Sequence, residues 1–367
     1  MPPSLTSSRP HRERESIKLS ETIHRFRPSK SFSNISPGAE ITSLDFDDRG
    51  ELCIASADDE TLQLYDCISG RHQKTLFSKK YGCHLAKFTH SSSNIIYAST
   101  KGDDTIRYLS LHDNSYIRYF KGHRRLVNSL EVSPVDDQFI SCSADDTVRL
   151  WDLKSSNCHG LLNLPSPSLA AFDPSGIIFA VASQASSSIM LYDLRNYDKA
   201  PFTTFTITDD AFLSAYSYPP RMPQWSKLEF SNDGKLMLLG TRGHSHYVID
   251  SFAENTSKFL YRVLRPRGFT LPEKEGKETS GSVCFTPDGR YIVGGQGERG
   301  VAIWDTNKQP DEKKSLLPSW DLVENVRTQA SVVAFNHKTN LLATAYKEAV
   351  FWLPEQHAPD PPQSPQR

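Results

Sequence analysis

The stretch ISCSADDTVRLWDL, Ile140–Leu153, gathers serines, aspartates and a tryptophan, and His123 lies just upstream in KGH. These are the side chains of a Ser–His–Asp hydrolase, and equally those that tie together the strands of one β-propeller blade. A hydrolytic triad needs an exposed nucleophile beside an oxyanion hole, for example on a G-x-S-x-G strand-to-helix elbow. No such elbow occurs in the chain. The decision therefore rests on whether the stretch stands alone or is one copy among several.

It is one copy among several. Fainter versions run at 53–67 (CIASADDETLQLYDC), 96–111, 179–194, 236–251, 291–306 (YIVGGQGERGVAIWDT) and 341–354 (LLATAYKEAVFWLP). Ahead of each lies another apolar–polar alternation and a tight turn, as in SLDFDDRGE, KLEFSNDGK and VCFTPDGRY. Period-two alternation broken by Asp-Gly turns means antiparallel hairpins. The marks Asp66, Ser110, Asp152, Asp193, Asp250 and Asp305 are 44, 42, 41, 57 and 55 residues apart. A four-stranded unit of this length is a WD-repeat blade, and the two long intervals carry insertions.

Seven units predict an all-β, seven-bladed WD-repeat β-propeller. The last unit runs into EQHAPDPPQSPQR, whose prolines cannot form its outer strand. SETIHRFRPS (20–29) has strand character and no blade of its own, so it is expected to complete blade seven and close the ring. This gives a disordered basic tail over 1–16, a propeller over 17–356 and a Pro-rich tail over 357–367. In such a blade His123, Ser143, Asp145 and Trp151 form a structural tetrad of hydrogen bonds.

The totals fit. Charge is balanced, 42 basic against 43 acidic side chains in 367 residues, so no global field points to nucleic acid or to a membrane surface. No apolar run reaches the length of a membrane-spanning helix, and the N-terminus has no secretory apolar core. The six cysteines stand singly, without zinc spacing, as a reducing compartment permits. His244-x-His246 lacks a third ligand, and the Gly294–Gly297 run leads into a strand rather than a helix N-terminus. No cofactor, metal, catalytic set or small-molecule substrate is expected.

Several stretches outside the generic repeat are more specific: YDCISGRHQKTLFSKKYGC (65–83), GDDTIRYLSLHDNSYIRYFKGH (102–123), SPVDDQFIS (133–141), YDLRNYDKAPF (192–202), FSNDGKL (230–236) and FWLP (351–354). Together, from about Lys18 to Pro354, they resemble a fungal form of one subfamily. It is the WD-repeat subunit shared by the COMPASS histone lysine-4 methyltransferase complex and the cleavage-and-polyadenylation/phosphatase machinery. The resemblance implies a non-catalytic nuclear adaptor. Its partners would be the methyltransferase catalytic subunit, other COMPASS subunits and termination or 3′-end processing factors, with chromatin reached indirectly. The tail 1–16 and the insertions 209–223 and 265–280 depart from the compact family core.

In a blade whose strands run a to d, the d–a and b–c connections share one face. That places Lys79, Lys80 and Tyr81 beside Arg124 and Arg125. The two insertions add Phe212, Tyr216, Tyr218, Arg221, Arg265, Arg267 and Phe269 to the same side. Aromatic and arginine side chains are those that interfaces enrich, so these twelve are the partner-binding candidates. An alternative function rests on WDLK (151–154) and YDLR (192–195), which resemble the docking signature of cullin–RING ligase substrate receptors.

Overall fold

Alternating residues along each repeat can bury one face only by pairing with a neighbour, and the hairpins do so in sevens. The computed structural model describes residues 18–253, 259–266, 279–296, 300–322 and 330–355. Its strands form seven antiparallel blades: 41–77, 84–120, 127–163, 167–206, 225–264, 283–322, and 332–354 joined by 26–32. Strands a of successive blades touch one another, so strand a lies nearest the axis and strand d outermost.

Seven apolar clusters hold the ring, one between each pair of adjacent blades. The joint between blades two and three shows how. Phe139 stacks on Trp151 with centroids 6.0 Å apart, and Phe120 meets Phe139 edge-on at 4.8 Å. All three side chains are fully buried. The a–b turns reverse through glycines in the left-handed region, such as Gly234 and Gly289, where a side chain would be strained.

The ring closes through its N-terminal strand. Phe26–Phe32 pairs antiparallel with Ala349–Pro354, strand c of blade seven. The closing strand starts later than the sequence suggests. Residues Leu19–Thr22 form one helical turn and Ile23–Arg25 a 3₁₀ turn, and the strand runs on to Phe32. Leu19, Ile23 and Phe26 join the apolar cluster between blades six and seven, so packing on that cluster overrides their strand character. Pro28 is tolerated because an outermost strand has one edge that needs no ladder bond. Residues 1–17 and 356–367, where the two tails were expected, lie outside the described residues.

Two further features depart from the repeat. Ser315–Leu316, from the c–d connection of blade six, adds a parallel fifth strand outside Tyr261–Leu264 of blade five. Strand a carries a register break near its start in each of blades one to five, at Ile41/Ser43, His84/Lys87, Val127/Ser129, Pro167/Leu169 and Trp225/Lys227. A bulge re-aims the extra side chain. All six cysteines are free thiols, four of them buried.

Candidate functional site

The opening stretch is framework, with one member reassigned. Trp151 Nε1 donates to Ser141 Oγ at 2.9 Å, and the Ser141 hydroxyl lies 2.7 Å from His123 Nε2. His123 Nδ1 in turn donates to Asp145 Oδ2 at 3.1 Å, and Thr147 Oγ1 donates to Asp145 Oδ1 at 2.6 Å. The serine of the tetrad is therefore Ser141, not Ser143. Ser143 instead donates to the Arg125 carbonyl at 2.8 Å. The two serines are two residues apart and face the same side of strand b. The reach of the Trp151 indole, paired opposite Phe139, picks out the nearer hydroxyl. Burial pushes the His123 imidazole below its ordinary pKa despite its carboxylate partner. Burial alone would raise Asp145, but bonds from Thr147, the Arg124 N–H and His123 bring it down to about 2. Ser141 and Ser143 are both fully buried, which is not how a nucleophile meets a substrate.

This tetrad shapes the surface above it. Asp145 accepts the Arg124 backbone N–H at 2.9 Å and Ser143 holds the Arg125 carbonyl, so the loop is pinned while both guanidinium groups stay exposed. The d–a and b–c connections do share one face. The Ser78 N–H bonds the Glu60 carbonyl at 2.8 Å, and the Thr100 N–H bonds the Tyr81 carbonyl at 2.9 Å.

At the blade one–two corner of that face the cations lie on aromatic rings. Arg107 sits 3.5 Å from the Tyr81 centroid and is held by both oxygens of Asp103, at 2.9 and 3.0 Å. Lys80 Nζ lies 5.0 Å over the same ring and Lys79 Nζ 5.5 Å over Phe77. Lys79 and Lys80 are exposed and Tyr81 half-buried. Lys80 and Arg107 beside the phenol draw Tyr81 below its ordinary pKa. Phe77 and Tyr119, exposed to 60% and 42%, extend the patch and were not among the candidates. Arg107 was missed as well. Its signal was available, because aligned strands c place Gln63, Arg107 and Arg149 at one repeat position, polar in an otherwise apolar strand.

The 209–223 insertion is docked rather than loose. Asp209 accepts from Arg262 at 2.9 Å and from the Tyr247 hydroxyl at 3.3 Å. Phe212, half-buried, lies under the Arg262 guanidinium, and Tyr216 stacks on His244 with centroids 4.2 Å apart. His246 is buried, and its Nδ1 accepts the Thr241 N–H at 3.1 Å. Tyr218, 98% exposed, and Arg221 project from the insertion. Arg265 does not belong to the surface. It is buried and donates to the carbonyls of Gly243, Thr241 and Gly295 and to Ser282 Oγ. Burial pushes its pKa down to about 10. Its long stem folds inward because those carbonyls, two of them on glycines, are open to it. Arg267 and Phe269 lie outside the described residues.

The axis of the disc opens differently at its two ends. The a–b end is a hollow of about 600 Å³ carrying Asp45, Lys87, Glu131, Lys227 and Glu229. Lys87 bridges Glu131 at 2.9 Å and Asp45 at 3.5 Å. The d–a end is a polar hollow of about 340 Å³ between blades three and six.

The comparisons with known proteins fit this architecture. Residues 28–66 and 114–152 match the WD domain, G-beta repeat family. The chain is 39% identical to the Set1 complex component swd2 of Schizosaccharomyces pombe, covering 90% of this chain and 98% of that protein. It is 40% identical to WD repeat-containing protein 82 of Drosophila melanogaster, over 92% and 98%. It is 38% identical to the COMPASS component SWD2 of Saccharomyces cerevisiae, over 85% and 90%. The chain belongs to this Swd2-type WD-repeat family.

Within a Swd2-type propeller, WDLK and YDLR need no ligase to explain them. Asp152 accepts the Lys154 N–H at 2.7 Å and Asp193 the Arg195 N–H at 2.8 Å. Asp66, Asp250 and Asp305 do the same for Ile68, Phe252 and Asn307. An aspartate that bonds the backbone two residues on orders the c–d turn. Five blades use the device, so it belongs to the fold and does not favour a cullin adaptor.

Proposed function

We propose that the chain is a non-catalytic, nuclear WD-repeat subunit of a COMPASS-type histone lysine-4 methyltransferase complex, acting through the face built from its d–a and b–c connections. The observation that carries this is near-full-length identity to relatives from two yeasts, each named as a component of such a complex. The architecture suits the role: a closed disc with basic and aromatic residues on one face and the Ser–His–Asp set consumed in framework bonds. A second assembly, with termination or 3′-end processing factors, follows from the family resemblance and uses the same disc. Affinity purification of the tagged full-length chain, read by mass spectrometry, tests the proposal. The expected product contains a SET-domain methyltransferase in stoichiometric amount. Recovery of a cullin adaptor, with no methyltransferase, would overturn it.

A further inference from the structure

The chain has five tryptophans, and four of them are fully or almost fully buried. Three of those four donate their indole N–H within the fold: Trp151 to Ser141, Trp304 to the Leu264 carbonyl at 3.0 Å, and Trp352 to Thr344 Oγ1 at 2.8 Å. The fourth, Trp225, is 3% exposed, and its Nε1 has no acceptor among the described residues. An indole nitrogen can only donate, so it awaits an acceptor. Next to it, the Ser226 hydroxyl is 7% exposed and likewise without a partner. Two adjacent unsatisfied polar groups in one buried place are rare, because buried donors are almost always paired.

Both groups line the polar hollow of about 340 Å³ at the d–a end of the axis. The register break of blade five falls between Trp225 and Lys227, which turns Ser226 toward the axis. The corresponding break in blade three, between Val127 and Ser129, brings Asn128 to the same wall. Gln184, Gln224 and Arg242 complete the polar lining. Among the described lining residues there is one cation and no carboxylate. The carboxylates Asp45, Glu131 and Glu229 belong to the other mouth of the axis, so the two ends have opposite character.

We infer that this hollow is a binding site for a single carboxylate, the acidic side chain of a partner segment lying across the d–a/b–c face. A carboxylate offers two acceptor oxygens, enough for the indole N–H and the serine hydroxyl, while Arg242 supplies the opposite charge. One guanidinium and no lysine match a monoanion better than a doubly charged phosphate. The site stands apart from the exposed basic corner at Lys79–Tyr81, and it does not depend on which complex the chain joins.

The test uses the indole ¹⁵N–¹H signals of the full-length chain, labelled at tryptophan and titrated with sodium acetate. Sodium chloride at matched ionic strength and sodium phosphate are the comparison arms. Trp225→Phe assigns the Trp225 signal, and the Trp151, Trp304 and Trp352 signals report that each variant is folded. The expected result is a saturable acetate shift confined to Trp225. Arg242→Gln abolishes it, and Ser226→Ala weakens it severalfold if Arg242→Gln proves unstable. Equal shifts with acetate and chloride would overturn the site. So would an unchanged affinity in folded Arg242→Gln, or in Ser226→Ala. A saturable response to phosphate with none to acetate would overturn the choice of a monoanion.

Discussion

Phe26→Ala should unseat the strand that closes the ring. The Phe26 side chain is fully buried, its ring centroid 5.8 Å from that of Phe335, in a cluster that includes Ile23, Tyr291 and Trp352. Emptying such a site costs about 3–5 kcal/mol, the transfer loss plus the cavity left behind. Against a total stability of about 5–15 kcal/mol this is a large fraction. Strand c of blade seven then keeps its bonds to Leu342–Ala345 but loses its outer partner at least transiently, exposing a free edge. Thermal unfolding followed by circular dichroism should show a fall of about 5–10 °C, since each kcal/mol moves a chain of this size by about 2 °C. Ser29→Ala, an exposed position in the same strand, is the control and should stay within about 0.5 kcal/mol. If Phe26→Ala melts within a degree of the native chain, Phe26–Phe32 does not close the ring and the closure argument fails.

Other outcomes follow from the tetrad and from the buried histidines. Ser141→Ala leaves the Trp151 indole and His123 unpaired and should cost about 1–3 kcal/mol, more than Ser143→Ala; a reversed order in urea melts would restore Ser143 to the tetrad. Asp145→Ala should cost a similar amount and also loosen the Arg124 loop, read as faster amide exchange there. Burial, helped by Arg242, pushes His84 down to about 4, and His123 and His246 are lowered too. Their folded pKa lies below the unfolded value near 6.5, so the unfolded chain binds more protons between those values. Stability is complete above about pH 6.5 and falls as pH drops toward 4, with His84 alone contributing about 2 kcal/mol by pH 5. Melting temperatures measured from pH 7 to pH 5 should fall, and His84→Gln should flatten the slope; an unchanged slope would show that His84 is not held neutral.

The repeat was legible because four-stranded hairpin units impose both an alternation and a period, and Asp66, Asp152, Asp193, Asp250 and Asp305 mark it at each c–d turn. Alternation has a limit, however. It fixes which face a side chain takes but not which of two residues on that face makes a bond, so Ser143 was read for Ser141. Arg265 was placed on the surface because it follows a strand end. Its burial depends on carbonyls contributed by residues 22 and 30 positions away, which no local pattern encodes. The hollow at Trp225 was hidden for the same reason, since its walls come from separate blades. The docked insertion was legible only as an insertion: the Asp209–Arg262 pair joins residues 53 apart.

The most direct measurement is quantitative co-purification of the methyltransferase catalytic subunit with two folded variants. One reverses Lys79, Lys80, Arg124 and Arg125 to Glu, on the face formed by the d–a and b–c connections. The other reverses Lys235 and Lys338, exposed in the a–b turns of the opposite face. Exposed charges act through steering and local attraction, so the first variant should capture less methyltransferase and lose the salt dependence of the native chain. The second should capture as much as the native chain. Loss of the methyltransferase from the a–b variant, with full capture by the first, would contradict the assigned binding face.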